Sequence, residues 1–287
     1  MSALLDEIKV KSQYFLPKKL LSRGVGKLAS AELGSVTTFL INSFINHYQI
    51  DMSEAKNKDI TKFKTFNDFF TRELKKGARP IVADENALCE PADGMISEKG
   101  EIYKDAVLQA KGHYYSLESL LGGEPEEAKY FSDGDFVTVY LSPRDYHRVH
   151  MPLDGKLEKM IYIPGELFSV NPLTARNVDN LFARNERVIC YFKNEKIGRF
   201  AVVLVGATIV ASIATVFGGV VAPSKEKTIY HYEKDDIFLN KGDELGRFLL
   251  GSTVICVFPK NKVSFAKGLE PETKVKVGQR LGEVKKK

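Results

Sequence analysis

The stretch that decides the fold lies near the C-terminus and reads Phe248-Leu249-Leu250-Gly251-Ser252-Thr253-Val254-Ile255. Apolar runs rich in β-branched residues flank a glycine and two hydroxyl residues, which is typical of buried strands around a tight turn. Gly251 places an unhindered carbonyl directly before the Ser252 hydroxyl, and glycine tolerates a strained backbone. We interpret Gly251-Ser252 as a peptide bond that its own serine breaks. The alternative is an ordinary turn between two strands, which is the commoner use of such a pattern.

Two upstream motifs supply the other groups that a serine nucleophile needs. Asp93 lies in Pro91-Ala92-Asp93-Gly94, and two histidines lie in Tyr140–His150, at His147 and His150. A histidine base oriented by an aspartate activates serine in many enzymes. Ser252 nevertheless lacks the G-x-S-x-G elbow of many hydrolases, because Val254 stands where the second glycine should be.

Each upstream motif also has a structural interpretation. Asp-Gly after proline is an ordinary turn signal, and the two histidines could form a satisfied polar cluster beside a core strand. His-x-x-His with Asp145 could also hold zinc. The remaining histidines, at positions 47, 113 and 231, are isolated, so we expect no metal site. A basic, aromatic neighbourhood favours an anionic substrate near a general base instead.

Composition limits the class of protein. The 287 residues carry a net charge of +5, with basic residues concentrated near both ends. The N-terminal group comprises Lys9, Lys11, Lys18, Lys19, Arg23 and Lys27, and the chain ends with three lysines. This distribution favours an anionic phospholipid surface, with a soluble basic protein as the alternative, and we expect no nucleic-acid partner. Three widely spaced cysteines indicate buried thiols in a reducing compartment, and Asp6 and Glu7 exclude a secretion signal.

The periodicity predicts an α+β fold: an N-terminal helical membrane-associating region, residues 1–64, and a β-rich core, residues 65–287. The alternative for the N-terminal helices is that they pack on the core, and the two can hold for different faces. A capping box at Thr65 and Asp68 predicts a short helix over Phe66–Leu74, and Ser116 predicts one over Leu117–Leu121. Predicted strands are Ile96–Ile102, Phe136–Leu141, Val188–Phe192, Phe200–Val205, Thr208–Ile213 and Thr253–Val257. The uncharged segment Phe200–Ala222 is long enough to span a bilayer, but its β-branched residues and glycines favour buried strands.

Together these motifs resemble those of the bacterial phosphatidylserine decarboxylase proenzymes, which depend on a pyruvoyl group. The resemblance covers nearly the whole chain, and Leu250-Gly251-Ser252-Thr253 with Tyr146-His147-Arg148-Val149-His150 is its most specific part. The other matching segments are Phe66–Phe70, Pro91–Gly94, Gln109–His113, Tyr140–Tyr146, Pro164–Asn171 and Leu181–Val188.

The resemblance implies a maturation reaction. Ser252 attacks the Gly251 carbonyl, with His150 as base and Asp93 as its orienter, and the resulting ester undergoes β-elimination. A β chain of residues 1–251 and an α chain of residues 252–287 form a heterodimer, with further dimerisation left open. Ser252 becomes the pyruvoyl cofactor.

The resemblance also implies decarboxylation of phosphatidylserine to phosphatidylethanolamine through a Schiff base between substrate and the pyruvoyl group. His147 is implied as the acid that reprotonates Cα, and Arg184 or Arg187 could hold the lipid phosphate, with salt bridges as the alternative. The expected location is the cytoplasmic side of the cell membrane, as a peripheral protein.

Two other functions remain compatible with the residues. A serine hydrolase would use the same Ser-His-Asp set for acyl transfer to water and would keep an intact chain. A non-enzymatic lipid-binding module would bind anionic lipid without cleavage or release of carbon dioxide.

Overall fold

A computed structural model describes residues 2–110, 112–208, 212–221, 224–249 and 252–285 of the chain. The α-helices within these residues are α1 Ser2–Phe15, α2 Lys18–Ser30, α3 Ser35–Tyr48, α4 Phe66–Phe70, α5 Leu117–Leu120, α6 Pro125–Phe131, α7 Pro172–Ala175 and α8 Leu181–Arg184. A short 3₁₀ helix covers Ile60–Lys62. The predicted helical N-terminal region is therefore confirmed.

Strands dominate the chain after α4. They are β1 Ala87–Cys89, β2 Gly94–Glu101, β3 Ala106–Ala110, β4 His113–Ser116, β5 Asp135–Leu141, β6 Arg148–His150, β7 Gly155–Ile163, β8 Arg187–Asn194, β9 Gly198–Gly206, β10 Ile213–Thr215, β11 Gly219–Val220, β12 Thr228–His231, β13 Phe238–Leu239, β14 Glu244–Phe248, β15 Ser252–Phe258, β16 Val263–Phe265, β17 Lys274–Val275 and β18 Arg280–Val284. The α+β class with a β-rich core is confirmed.

The main sheet holds β15 near its middle. Its order is β12-β7-β8-β9-β15-β5-β2-β17, with β13 also paired to β7, and each of these pairs is antiparallel. All seven residues of β15 are buried, as a strand covered on both faces must be. One face packs under α5 to α8, and the other packs against a smaller four-stranded sheet.

That smaller sheet has the order β11-β10-β14-β6. Val149 of β6, Ile213 of β10 and Phe248 of β14 share a buried cluster with Leu141 and Val254 of the main sheet. This packing places β6, which carries the histidine motif, over the same face of the main sheet as Val254.

The N-terminal helices have a small core of their own. Ile41, Ile50 and Phe69 are its buried members, and Phe44 of α3 packs edge-on against Phe66 of α4 with ring centroids 5.1 Å apart. This cluster crosses the proposed boundary between residues 64 and 65, which stays a prediction.

Two predicted elements differ from the structure. The predicted helix Phe66–Leu74 ends at Phe70, because the following residues instead pair with residues 54–56, where the Lys56 amide donates to the Glu73 carbonyl at 2.8 Å. The predicted strand Thr208–Ile213 is wrong at Thr208, which lies in a turn, and β10 begins at Ile213. Residues 209–211 lie outside the described part.

The uncharged segment at residues 200–222 forms strands, as predicted, in β9 and β10, whereas the short β11 is exposed. Among the described helices, no single one is long and apolar enough to cross a bilayer. One bent pair, Leu20–Ser30 with Ser35–Tyr48, meets the length and composition only jointly, across an angle of 115°.

Candidate active site

Ser252 is the first residue of β15 and lies between two strands. It is opposite Leu141 of β5 and Gly206 of β9, and its side chain is 1% exposed. Its Oγ has no hydrogen-bond partner among the described residues. Because residues two apart on a strand share a face, Ser252 lies on the same side as Val254, which packs toward the smaller sheet. A buried hydroxyl without a partner is costly, so it suggests a reacting group. Leu250 and Gly251, and therefore the proposed scissile bond, lie outside the described residues.

His150 ends β6 and is largely buried. Its Nδ1 lies 2.8 Å from the Gly242 carbonyl oxygen, so Nδ1 carries the proton and donates. Its Nε2, 3.1 Å from the Tyr146 hydroxyl, is left as the acceptor. Burial lowers the pKa of His150 below its usual value, which the carbonyl of Gly242 and nearby carboxylates partly offset. The ring is therefore a neutral base with its lone pair on Nε2.

Asp93 lies beside this histidine without bonding to it. The Arg79 Nε donates to its Oδ1 at 2.8 Å, and the Val277 amide donates to the same oxygen at 2.9 Å. The His150 amide in turn donates to the Pro91 carbonyl at 2.7 Å, which ties the two motifs together. Within the described chain there is no hydrogen bond between the Asp93 carboxylate and the His150 ring. The predicted roles of Asp93 and His150 stay predictions.

Gly94 follows Asp93 for a steric reason. A Cβ at this position would collide with the Tyr140 carbonyl oxygen, so only glycine lets β2 pair with β5 here. Asp93, Tyr140, Ser142 and Lys276 line an open cavity of about 510 Å³ at this edge. The glycine of the Asp93-Gly94 turn signal is therefore also needed for the close approach of β2 and β5.

His147 is fully buried and stacks on Phe70, with ring centroids 4.0 Å apart. Its Nε2 lies 3.1 Å from the Ser142 carbonyl oxygen and so donates, whereas Nδ1 has no partner among the described residues. Burial, together with the Arg72 guanidinium, lowers the pKa of His147 to about 3. His147 is neutral at physiological pH, with one free acceptor. Its predicted role as an acid stays a prediction.

Arg72 is a site residue that the sequence interpretation missed. It is 5% exposed, and of its guanidinium nitrogens Nη2 donates to the Arg144 carbonyl at 3.3 Å. Its Nε and Nη1 have no partner in the described part of the chain. Burial lowers the pKa of Arg72. A buried cation with two free donors near His147 can bind a small anion. The signal that could have identified Arg72 is a charged residue two positions after the aromatic helix Phe66–Phe70.

The two arginines considered for the lipid phosphate each contact other groups, and their predicted role stays a prediction. Arg187 is buried and donates to the backbone carbonyls of Leu120 and Ala183, each at 2.7 Å, so its guanidinium has a structural role. Arg184 lies over the Phe168 ring, 4.9 Å from its centroid. Among the described residues, no group of three or more His, Cys, Asp or Glu side chains could hold a metal ion.

Comparison with known proteins gives consistent matches. A family model described as phosphatidylserine decarboxylase matches residues 66–283, and a second, described as PSD, matches residues 8–49. A phosphatidylserine decarboxylase proenzyme from Psychromonas ingrahamii is 55% identical over 278 residues, covering 96% of this chain and 97% of the relative. Proenzymes of the same name from Shewanella sp. (strain ANA-3) and Shewanella baltica (strain OS155) are each 53% identical, covering 98% of both chains.

Proposed function

Because this chain belongs to the phosphatidylserine decarboxylase family, we propose that it cuts itself at Gly251-Ser252 and then converts phosphatidylserine into phosphatidylethanolamine and carbon dioxide. The chain is a decarboxylase. The observation that carries the proposed maturation is Ser252, whose buried hydroxyl starts a central strand and lacks a partner among the described residues.

Maturation begins with the Ser252 hydroxyl. The described part of the structure shows no hydrogen bond between His150 and the Ser252 hydroxyl, because Nε2 contacts the Tyr146 hydroxyl instead. In our proposal the serine hydroxyl replaces Tyr146 at Nε2, the ring nitrogen that the Gly242 carbonyl leaves unprotonated, and gives its proton to it. The Oγ attacks the Gly251 carbonyl, and the amide bond is exchanged for an ester. Loss of the Ser252 α proton then breaks the Cβ–Oγ bond, which leaves a carboxylate on Gly251 and a dehydroalanine at position 252. Tautomerisation and addition of water release ammonia and leave a pyruvoyl group.

Asp93 assists the proton transfer from Ser252 to His150 because its carboxylate lies near the His150 ring. Its carboxylate contributes negative potential at His150 and raises the pKa of that ring against the effect of burial. Arg79 holds the carboxylate in place. We propose that Asp93 stabilises the imidazolium that forms when His150 takes the serine proton.

The residues around Ser252 fit a pyruvoyl group, since the serine is buried, has a free hydroxyl and is fixed by pairing on both sides. When formed, this group supplies an electron sink for the charge left at Cα, which no ordinary side chain provides. The residues of β15 are all buried and so are removed from bulk water, which favours loss of neutral carbon dioxide.

Two other side chains complete the proposed site. Arg72 offers two free donors to an anionic group of the substrate. His147 returns a proton to Cα. Because its pKa is about 3 without substrate, it takes up that proton only when bound anionic groups raise its pKa.

The α and β chains are proposed to stay together after cleavage. The new α chain would begin with β15, which pairs along β5 and β9, both in the β chain. Breaking one peptide bond leaves these hydrogen bonds and the surrounding apolar contacts in place.

The enzyme is proposed to rest on the cytoplasmic face of the membrane, with anionic phospholipid as the surface it contacts. Large apolar side chains of α1, α2 and α3 are exposed, among them Phe15 at 88%, Leu20 at 70% and Phe39 at 69%. Basic side chains on the same helices match anionic head groups. Lys18 is an exception to the predicted set, since it is buried over the Phe168 ring.

The test is the intact mass of the purified protein together with release of carbon dioxide from carboxyl-labelled phosphatidylserine. We expect a larger chain that ends at residue 251 and a smaller chain that begins at position 252. The smaller chain should be lighter by one ammonia than a chain that begins with an unmodified Ser252. Ser252→Ala, Asp93→Ala and His150→Ala should each remain one inactive chain, whereas Ser264→Ala, in β16, should mature normally. An active preparation that stays a single uncut chain would contradict the proposal.

A further inference from the structure

A cavity of about 710 Å³ separates α2 from the strand ends that precede Ser252. We propose that this cavity, called the α2 cavity here, binds the phosphodiester of the phospholipid head group, with Arg23 and Lys27 as its cations. The proposal rests on the proposed function, because it names where part of the substrate binds. The residues that line the α2 cavity are Leu20, Arg23, Gly24, Gly26, Lys27, Ser30, Asn67, Ser212, Val220 and Leu249.

The two cations lie on one face of the helix. Arg23 and Lys27 are four residues apart, which places their side chains one above the other. Both are exposed, and neither makes an ion pair with a carboxylate in the described part of the chain. By contrast, Lys11 pairs with Glu7, and Lys18 pairs with Glu166. Two adjacent unpaired cations on the wall of a cavity create a positive potential that favours an anion.

The opposite wall of the cavity leads to the reacting residue. The Leu249 amide donates to the Ser212 carbonyl at 3.1 Å, which joins the two strand ends that close this side. Leu249 precedes Ser252 by three residues, so their Cα atoms are at most about 11 Å apart. A phosphodiester held against the Leu249 wall of the cavity therefore places its serine portion toward position 252. An anion in the α2 cavity can therefore belong to a molecule whose amine reaches position 252.

The other lining groups match the rest of a serine phospholipid. Asn67 lines the cavity, and its buried Oδ1 has no hydrogen-bond partner among the described residues. This acceptor suits the ammonium group of a serine head group on its way to position 252, before that amine reacts. Leu20 and Val220 are 70% and 64% exposed, and they offer an apolar border where the glycerol and acyl chains begin.

The chemistry of the cations favours a phosphodiester. The planar guanidinium of Arg23 can donate two parallel hydrogen bonds to phosphate oxygens, and Lys27 adds a compact positive charge. Free phosphate offers the same oxygens, but it gains nothing from Asn67 or from the apolar border. The two sources can therefore be separated by comparing inorganic phosphate with glycerophosphoserine.

The kinetic test uses mature enzyme and a short-chain phosphatidylserine below its critical micelle concentration, so that membrane binding plays no part. Arg23→Ala and Lys27→Ala should each raise KM about tenfold or more and change kcat less than threefold, because they remove binding and not chemistry. Arg23→Lys should recover part of the loss. Lys62→Ala removes an exposed lysine that does not line the cavity and should leave KM unchanged. Intact mass confirms that each variant has matured.

The binding test uses Ser252→Ala protein and isothermal titration with glycerophosphoserine or inorganic phosphate. Glycerophosphoserine should bind, and Arg23→Ala should weaken that binding about tenfold. Equal affinity for inorganic phosphate, or no dependence on Arg23, would overturn the subsite. If the wild-type enzyme decarboxylates normally and Arg23→Ala and Lys27→Ala leave KM unchanged, only the proposed subsite is refuted. Absence of decarboxylation in a matured wild type would refute the proposed function, while titration still decides the subsite.

Discussion

At the residue scale, His147 has a single atom left for chemistry. The ring stacks on Phe70, and Nε2 donates to the Ser142 carbonyl, so the free Nδ1 is the only ring nitrogen that can exchange a proton with substrate. In our proposal, His150 serves maturation and His147 serves turnover.

We therefore expect His147→Ala to mature into two chains but to lose at least about a hundredfold in kcat, the range typical of a general acid. The measurement is intact mass followed by release of labelled carbon dioxide. His113→Ala is the control, because that histidine is partly exposed and pairs with Asp179. Normal turnover by His147→Ala would move the proton donor to another residue.

Glu90 is a second buried titratable group, and its effect is on stability. It is fully buried, neither carboxyl oxygen has a described partner, and burial raises its pKa to about 8. The folded chain holds this proton while the unfolded chain has released it, so stability falls as pH rises from about 4.5 to 8. At about 1.4 kcal/mol per pH unit, the loss from pH 5 to 8 is on the order of 4 kcal/mol.

Glu90→Gln should remove that slope. The measurement is urea unfolding at pH 5.5 and 8 in a Ser252→Ala background, which keeps one chain. We expect the variant to gain stability over its parent at pH 8 and little at pH 5.5. Glu101→Gln, at the end of β2, is the control with an exposed carboxyl. Equal pH dependence in parent and Glu90→Gln would show that Glu90 is ionised in the folded state.

The sequence named the candidate reacting groups but not their partners. Ser252, Asp93, His147 and His150 lie in short motifs, where residue type and spacing indicate chemistry. The groups that fix them lie far away along the chain: Gly242 is 92 residues from His150, and Val277 is 184 residues from Asp93. Such contacts depend on strand order, which local pattern does not specify.

At the element scale, β15 shows what the hydrophobic pattern of the sequence can predict and what it cannot. Its β-branched run predicted a buried strand at Thr253–Val257, and the structure gives Ser252–Phe258. Its neighbours β9 and β5 were each predicted as strands, but nothing in their sequences says that β15 lies between them. Short exposed strands such as β11 and β13 were missed, because two residues carry too little periodicity to detect.

This central position makes the proposed α chain hard to remove. We expect both chains of mature protein to co-elute on size exclusion in 1 M NaCl and to separate only in denaturant. Ile255→Ala should lower the urea concentration for separation, since truncating a buried isoleucine costs about 2–5 kcal/mol. Ile229→Ala, in β12 and 40% exposed, should have little effect. Release of the α chain by salt alone would contradict the proposed heterodimer.

At the scale of the whole molecule, the N-terminal helices carry many exposed apolar side chains, while the sheets enclose the reacting residues. The α2 cavity lies between the two parts, since α2 forms one wall and strand ends form the other. In our proposal, a lipid held by its acyl chains in a bilayer reaches Ser252 because these helices contact the membrane. Membrane contact and catalysis are therefore expected to depend on the same helices but on different residues of them.

We expect Phe15→Asp and Phe39→Asp each to weaken binding to vesicles of anionic phospholipid about tenfold or more, because each removes a large apolar side chain from the interface and adds a negative charge. Sedimentation with vesicles measures the affinity, and activity on short-chain substrate below its critical micelle concentration should stay normal. Phe238→Asp, at a phenylalanine of β13 that is 54% exposed, is the matched control and should bind like wild type. Higher ionic strength should also weaken wild-type binding, since salt screens the attraction between the basic N-terminal region and anionic head groups. If the three aspartate variants bind equally well, the N-terminal helices are not the membrane-contacting surface, and lipid must reach Ser252 by another route.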